Sequence, residues 1–134
     1  MAIAAATTRI RIGAIALIAP LRHPLVLAHD LAALDLLSEG RLVIQPTVSW
    51  HQDEYDALGV PFTRRGRILD EQLDIWAQVW RHSPVSYAGE FFTFDDVYLE
   101  PETFIAEAFD GQPPGTAKLW IKPALNDQVK DIVG

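Results

Sequence analysis

Residues 13–44 read "GAIALIAPLRHPLVLAHDLAALDLLSEGRLVI", and the order of apolar runs and breakers within them decides the fold. Just upstream, Arg9, Ile10, Arg11 and Ile12 alternate before the chain turns continuously apolar as far as Ala19, the pattern of a strand buried on both faces of a parallel sheet. Pro20 ends it. Pro24 stands where the first turn of a helix tolerates proline, and Leu27, Leu31 and Leu34 with Ala28 and Ala32 make an apolar face at helical spacing. Gly40 is the expected left-handed cap of that helix. Leu42, Val43 and Ile44 open a second strand that ends near Ser49 and Trp50.

Working outward, "HQDEYDALGVPF" (51–62) reads as a polar loop with one hydrophobic patch. Thr63 is a plausible N-cap for a helix running to about Trp80, with Leu69, Leu73, Trp76 and Trp80 inward and Ile68 and Val79 beside them. Indoles at i, i+4 on such a stripe are core residues by their spacing. Ser83 and Pro84 break the helix, and "VSYAGEFFTF" (85–94) holds two alternating runs around Ala88 and Gly89, a β-hairpin pattern. A loop containing "GQPPG" follows, then "KLWIK" (118–122) as a third buried-strand candidate and a short last helix over 124–133. Alternating strands and helices imply a parallel α/β sheet, open or part of a barrel.

The 134 residues are 49% hydrophobic and 22% charged, enough apolar side chains for one core and a single domain over 1–134. A net charge of -7 argues against nucleic acid, because phosphate binding needs clustered Lys and Arg. The one basic cluster, Arg64, Arg65 and Arg67, has Asp70 and Glu71 close behind and reads as a solvated helix face. The absence of cysteine excludes a disulfide framework and a thiolate metal site. The run from Ile12 to Ala19 is too short to cross a bilayer and no signal-peptide pattern follows Met1, so a cytoplasmic location without membrane partners is expected. His51, Asp53 and Glu54 lie close together, but a metal site needs a further distant ligand, and none is evident. There is no phosphate loop and no G-x-S-x-G frame.

The segments "RIRIGAIALIAPLRHPLVLAHDLAALDLLSEGRL" (9–42), "WHQDEYDALGVPFTRRGRILDEQLDIWAQVW" (50–80), "PVSYAGEFF" (84–92) and "LEP" (99–101) resemble the bacterial luciferase-like flavin monooxygenase superfamily, especially its deazaflavin-dependent branch. That resemblance implies a (β/α)8 barrel, which takes ~250 residues, so this chain is expected to be a truncated domain: about strands 3 to 5 of the barrel with a β-hairpin excursion. Arg9 to Ala19 match the third strand, Leu42 to Ser49 the fourth, Lys118 to Lys122 the fifth, and "AIAAATT" (2–8) the end of the second barrel helix.

The implied function is that of an oxidoreductase or monooxygenase moving hydride between coenzyme F-420 (a deazaflavin) or reduced FMN and a small organic substrate. The alternative is a non-catalytic remnant that serves as a packing or dimerisation module. By resemblance, Ala14, Ile15 and Ala16 form a bulge beneath the cofactor ring, often with a non-prolyl cis peptide, and Thr47, Val48 and Ser49 complete the cofactor site. The fourth strand departs from the family pattern: "QPTVSW" (45–50) stands where relatives carry a glycine-rich run, and its larger side chains narrow the approach to a ligand. His23, Trp50 and His51 fall on the rim that faces substrate, where His23 is equally suited to capping the following helix. No general acid or base is identified, since this chemistry belongs mainly to the cofactor. Unpaired outer strands imply a homo-oligomer, or association through exposed barrel edges.

Overall fold

The structure is a computed structural model and describes residues 1–100. Its elements run α1 (Ala2–Ala6), β1 (Ile12–Ile18), α2 (Pro24–Leu37), β2 (Leu42–Thr47), α3 (Gln52–Ala57), α4 (Arg65–Val79), β3 (Val85–Ala88) and β4 (Thr93–Val97). β1 and β2 pair in parallel, with Ile12 beside Leu42 and Ile18 beside Thr47, across the connecting helix α2. This is the strand-helix-strand order expected from 13–44. The hairpin β3–β4 is antiparallel and forms its own sheet, as expected of an excursion. The candidate strand 118–122 and helix 124–133 lie outside the described residues.

One face of the parallel pair carries the core. Leu42 and Ile44 of β2 pack with Leu27, Ala28, Leu31 and Ala32 of α2 and with Leu73, Ile75, Trp76 and Val79 of α4. The two indoles do more than fill space. Trp76 Nε1 donates to the Pro24 carbonyl at 2.9 Å and Trp80 Nε1 to that of Ala28 at 3.2 Å, so each buried N–H is satisfied while it ties α4 to the first turns of α2. On the opposite face of the sheet, Gly13, Ala16 and Gln45 are exposed.

Three local expectations are corrected. Residues 52–57 are helical, because Tyr55 turns inward and is fully buried while Asp53 and Glu54 occupy the first turn, where acidic side chains favour the helix dipole. Thr63 is not a cap: it lies in the 3₁₀ turn Phe62–Arg64, and α4 starts at Arg65. The helix α2 ends one residue earlier than a Gly40 cap requires. Glu39 takes the left-handed position at φ +51°, with Gly40 following at +73°, and the Gly40 N–H returns to the Asp35 carbonyl and the Glu39 N–H to Leu36, a Schellman pattern. The basic cluster lies on an exposed helix face, as expected; there Arg64 and Arg67 pair with Glu90 of the hairpin, and the Arg65 guanidinium sits 3.8 Å over the Phe62 ring.

Arg41 joins the start of β2 to the N-terminal segment. Its guanidinium donates to the carbonyls of Ser38, Ile10, Ala4 and Thr7 and to Thr7 Oγ1, at 2.7 to 3.1 Å. These carbonyls come from the C-terminal turns of two helices, Ala4 of α1 and Ser38 after α2, and from the irregular stretch at Thr7 and Ile10, where backbone acceptors otherwise have no partner.

Candidate functional site

Because β1 and β2 are parallel, the segments that follow them emerge at one end of the sheet. At this end β1 is irregular. The ladder shifts between Ala14 and Leu17, and Ala16 takes φ +63°, a left-handed conformation that costs an alanine roughly 1–2 kcal/mol. The bulge expected at Ala14–Ala16 is therefore present, and its bend is carried by Ala16. The cis peptide bond recorded among the described residues is Ser83-Pro84.

The β2 end lies beside it. Thr47 closes the strand opposite Ile18, and Val48 and Ser49 lead to a second left-handed residue, Ser49 at φ +57°. Ser49 Oγ accepts the His51 N–H at 3.2 Å, and the Val48 carbonyl accepts from the buried Tyr55 hydroxyl. Burial raises the Tyr55 pKa, against the nearby charge of Arg65 and with that of Glu54, so the phenol stays protonated and donating. Trp50 stands 84% exposed, edge-on to His51 with ring centroids 5.3 Å apart. His51 Nδ1 is shielded from solvent and has no hydrogen-bond partner among the described residues.

His23 is at the β1 end and serves as the N-cap of α2: its Nδ1 accepts the Leu25 N–H at 3.3 Å. Its ring meets Phe92 edge-on at 5.5 Å, and it lines a cleft of about 280 Å³ with Pro20, Leu21, Arg22, Val60, Phe91 and other apolar neighbours. The predicted site residues thus fall into two places. Ala16 and the segment 47–51 mark the strand ends, whereas His23 belongs to the outer cleft beside the helices.

Two functional supports were not anticipated from sequence. Gln72, fully buried in α4, donates from Nε2 to the Ala19 carbonyl at 3.1 Å and the Arg22 carbonyl at 2.8 Å, fixing the loop after β1. Its signal is a lone amide on the apolar stripe, four residues from both Ile68 and Trp76. Glu71 accepts the backbone N–H groups of Glu90, Phe91 and Phe92 at 2.8 to 3.1 Å, which anchors the hairpin tip. Gly89 is the residue that permits it, since a Cβ there would overlap the Glu71 carboxylate.

A flat ring needs bare backbone on one side and few protruding atoms. At the bulge Ala16 is exposed and presents no more than a methyl group, so its position fits such a group. The family pattern described as luciferase-like monooxygenase matches residues 1–114. The chain belongs to the luciferase-like monooxygenase family. It is 37% identical over 102 residues to the uncharacterized protein Rv0953c of Mycobacterium tuberculosis (strain ATCC 25618 / H37Rv), covering 75% of this chain and 36% of that one. It is 31% identical over 105 residues to the pyrimidine monooxygenase RutA of Escherichia coli (strain SMS-3-5 / SECEC), covering 75% and 29%. The crystal structure of the monooxygenase RslO1 from Streptomyces bottropensis superposes with a TM-score of 0.68 at 32% identity, over 75% of this chain and 30% of that one. The chain spans about a third of the length of the curated relatives it matches. Among the described residues no helix is long and apolar enough to cross a membrane.

Proposed function

We propose that the strand ends form part of the cofactor and substrate site of an oxidoreductase of the luciferase-like class, acting on a small organic substrate. Ala14, Ile15 and Ala16 with Thr47, Val48 and Ser49 would hold the ring of FMN or of coenzyme F-420, and Trp50 and His51 would face the substrate, with His23 on the outer rim. The reduced cofactor supplies the hydride or electrons. The chain's own residues supply the setting. Ala16 leaves the backbone open to close approach. Ser49 Oγ, already accepting from the His51 N–H, keeps its hydroxyl proton to donate.

The observation that carries this reading is the left-handed bulge at Ala16 beside the β2 end, in a chain of this family. A fluorescence titration of the chain with reduced FMN and with reduced coenzyme F-420 tests it. Ala16→Gly should retain binding, and Ala16→Trp should weaken it by at least about tenfold, a loss of ~1.4 kcal/mol. Equal affinity for both variants would remove the bulge from the site.

Copies of the chain would associate through the sheet. Among the described residues β1 and β2 each keep an unpaired edge, and Val26, Leu36 and Leu37 are exposed on α2. Size-exclusion chromatography reads this directly. The second reading, a non-catalytic packing module, is favoured by Pro46 and its bulky neighbours at the β2 end; a folded chain that binds neither cofactor supports it.

A further inference from the structure

The outer cleft has a composition that the strand-end site does not explain. Its walls are Pro20 and Leu21 from the loop after β1, Val60 and Pro61 before α4, Ile68 of α4, and the Phe91–Phe92 pair at the hairpin tip. Two cationic or donor side chains, Arg22 and His23, complete the lining, and no carboxylate side chain does. In a chain of net charge -7 that selection favours an anion.

Both polar groups are available. Arg22 is exposed, and its guanidinium has no hydrogen-bond acceptor or ion pair among the described residues. Because His23 Nδ1 accepts the Leu25 N–H, the neutral ring carries its proton on Nε2 and presents it as a donor. The walls are held from behind. Gln72 grips the Ala19 and Arg22 carbonyls on one side, and Glu71 grips the Phe91 and Phe92 amides on the other. Glu71 therefore spends its charge on backbone N–H groups, and the cleft keeps its shape without a ligand.

We propose that this cleft binds a small carboxylate bearing one aromatic ring, with the ring between Phe91, Phe92 and Val60 and the carboxylate on Arg22 and His23. A volume of about 280 Å³ falls just below the usual range for drug-sized ligands and suits one ring with a short acid arm. The lining contains none of Ala14–Ala16 and none of Thr47–Ser49, so binding in the cleft is read separately from cofactor binding at the strand ends.

Phenylacetate and its neutral isostere phenylacetamide are the probes, titrated into the chain and followed by calorimetry and by amide NMR shifts at Arg22, His23, Phe91 and Phe92. The acid should bind at least about tenfold more tightly than the amide. Arg22→Gln should abolish that preference while leaving amide binding in place, and Val60→Trp should fill the cleft and remove both. Far-UV circular dichroism and the melting midpoint of each variant report folding, and Leu21→Trp replaces Val60→Trp if the latter unfolds. Equal binding of acid and amide, an acid preference that survives Arg22→Gln, or binding indifferent to the filled cleft would each overturn the proposal. So would contacts between the Phe92 ring and residues after Glu100 in the free chain, which would mean that the chain covers the cleft itself.

Discussion

The two faces of the parallel strand pair are built to different standards. On the helix side Trp76 and Trp80 are nearly inaccessible and each indole N–H finds a carbonyl, and Gln72 bridges to the loop after β1. On the other side Gly13, Ala16 and Gln45 face outward, and two residues near the strand ends hold left-handed backbone. The contrast teaches that close side-chain packing and open backbone are assigned to opposite faces. Side-chain identity is demanded where α2 and α4 dock, whereas at the strand ends the backbone path matters and small side chains suffice.

The largest break in that contrast should come from Trp76→Ala, which empties the centre of the helix side and strips Pro24 of its indole donor. A loss of about 3–5 kcal/mol is expected, against less than about 0.5 kcal/mol for Gln45→Ala on the open face; urea denaturation of the two variants measures the gap.

Glu71→Ala tests whether the hairpin tip is held by one carboxylate. It leaves the Glu90, Phe91 and Phe92 amides without their acceptor, and a cost of roughly 2–3 kcal/mol is expected. Hydrogen exchange should accelerate at those three amides while the Trp80 amide keeps its protection.

Ala16→Gly sharpens the comparison from the other direction. Glycine adopts positive φ without a Cβ penalty, so this variant should gain about 1 kcal/mol or stay neutral after the entropy of the freer unfolded chain is subtracted. A clear loss of stability would show that the Ala16 methyl is itself packed.

The smallest effect concerns Asp74 on α4. Partial burial raises its carboxyl pKa above the usual 3.8, with the charges of Asp70 and Glu71 adding to it. The folded state therefore holds that proton more tightly than the unfolded chain, and stability falls as pH rises through the raised pKa. Asp74→Asn should raise the melting midpoint slightly at pH 7, and the difference should vanish as pH falls below 3.8, where both states are protonated.

Periodicity made the helix side legible. Leu27, Leu31, Leu73 and Trp76 stand at spacings that only a helix turns to one face, and the continuous apolar run before Pro20 identified β1. The supports were harder to see because they depend on distant partners. Glu71 looks like a surface acid until Gly89 and the hairpin amides arrive beside it, and nothing near Arg64 and Arg67 in sequence points to their partner Glu90. Short helix α3 was missed for a related reason: in six residues one inward side chain, Tyr55, provides no repeat from which a period is read. At the strand ends the family resemblance located the bulge, but local sequence does not reveal that Ala16 and Ser49 adopt left-handed backbone, since both residues usually avoid it.

The neighbouring indoles Trp76 and Trp80, with ring centroids 5.5 Å apart and planes tilted by 32°, have an optical consequence. Two chromophores so close and skewed exchange excitation, and their shared transition is split in circular dichroism with a sign set by the tilt. The couplet exists only while α4 keeps its indoles in register against α2. Trp50, standing 84% in solvent, is by contrast open to a collisional quencher and reports the strand ends. The molecule thus carries separate gauges for the two sides of its sheet, and unlabelled protein suffices to learn which side yields first under heat or denaturant.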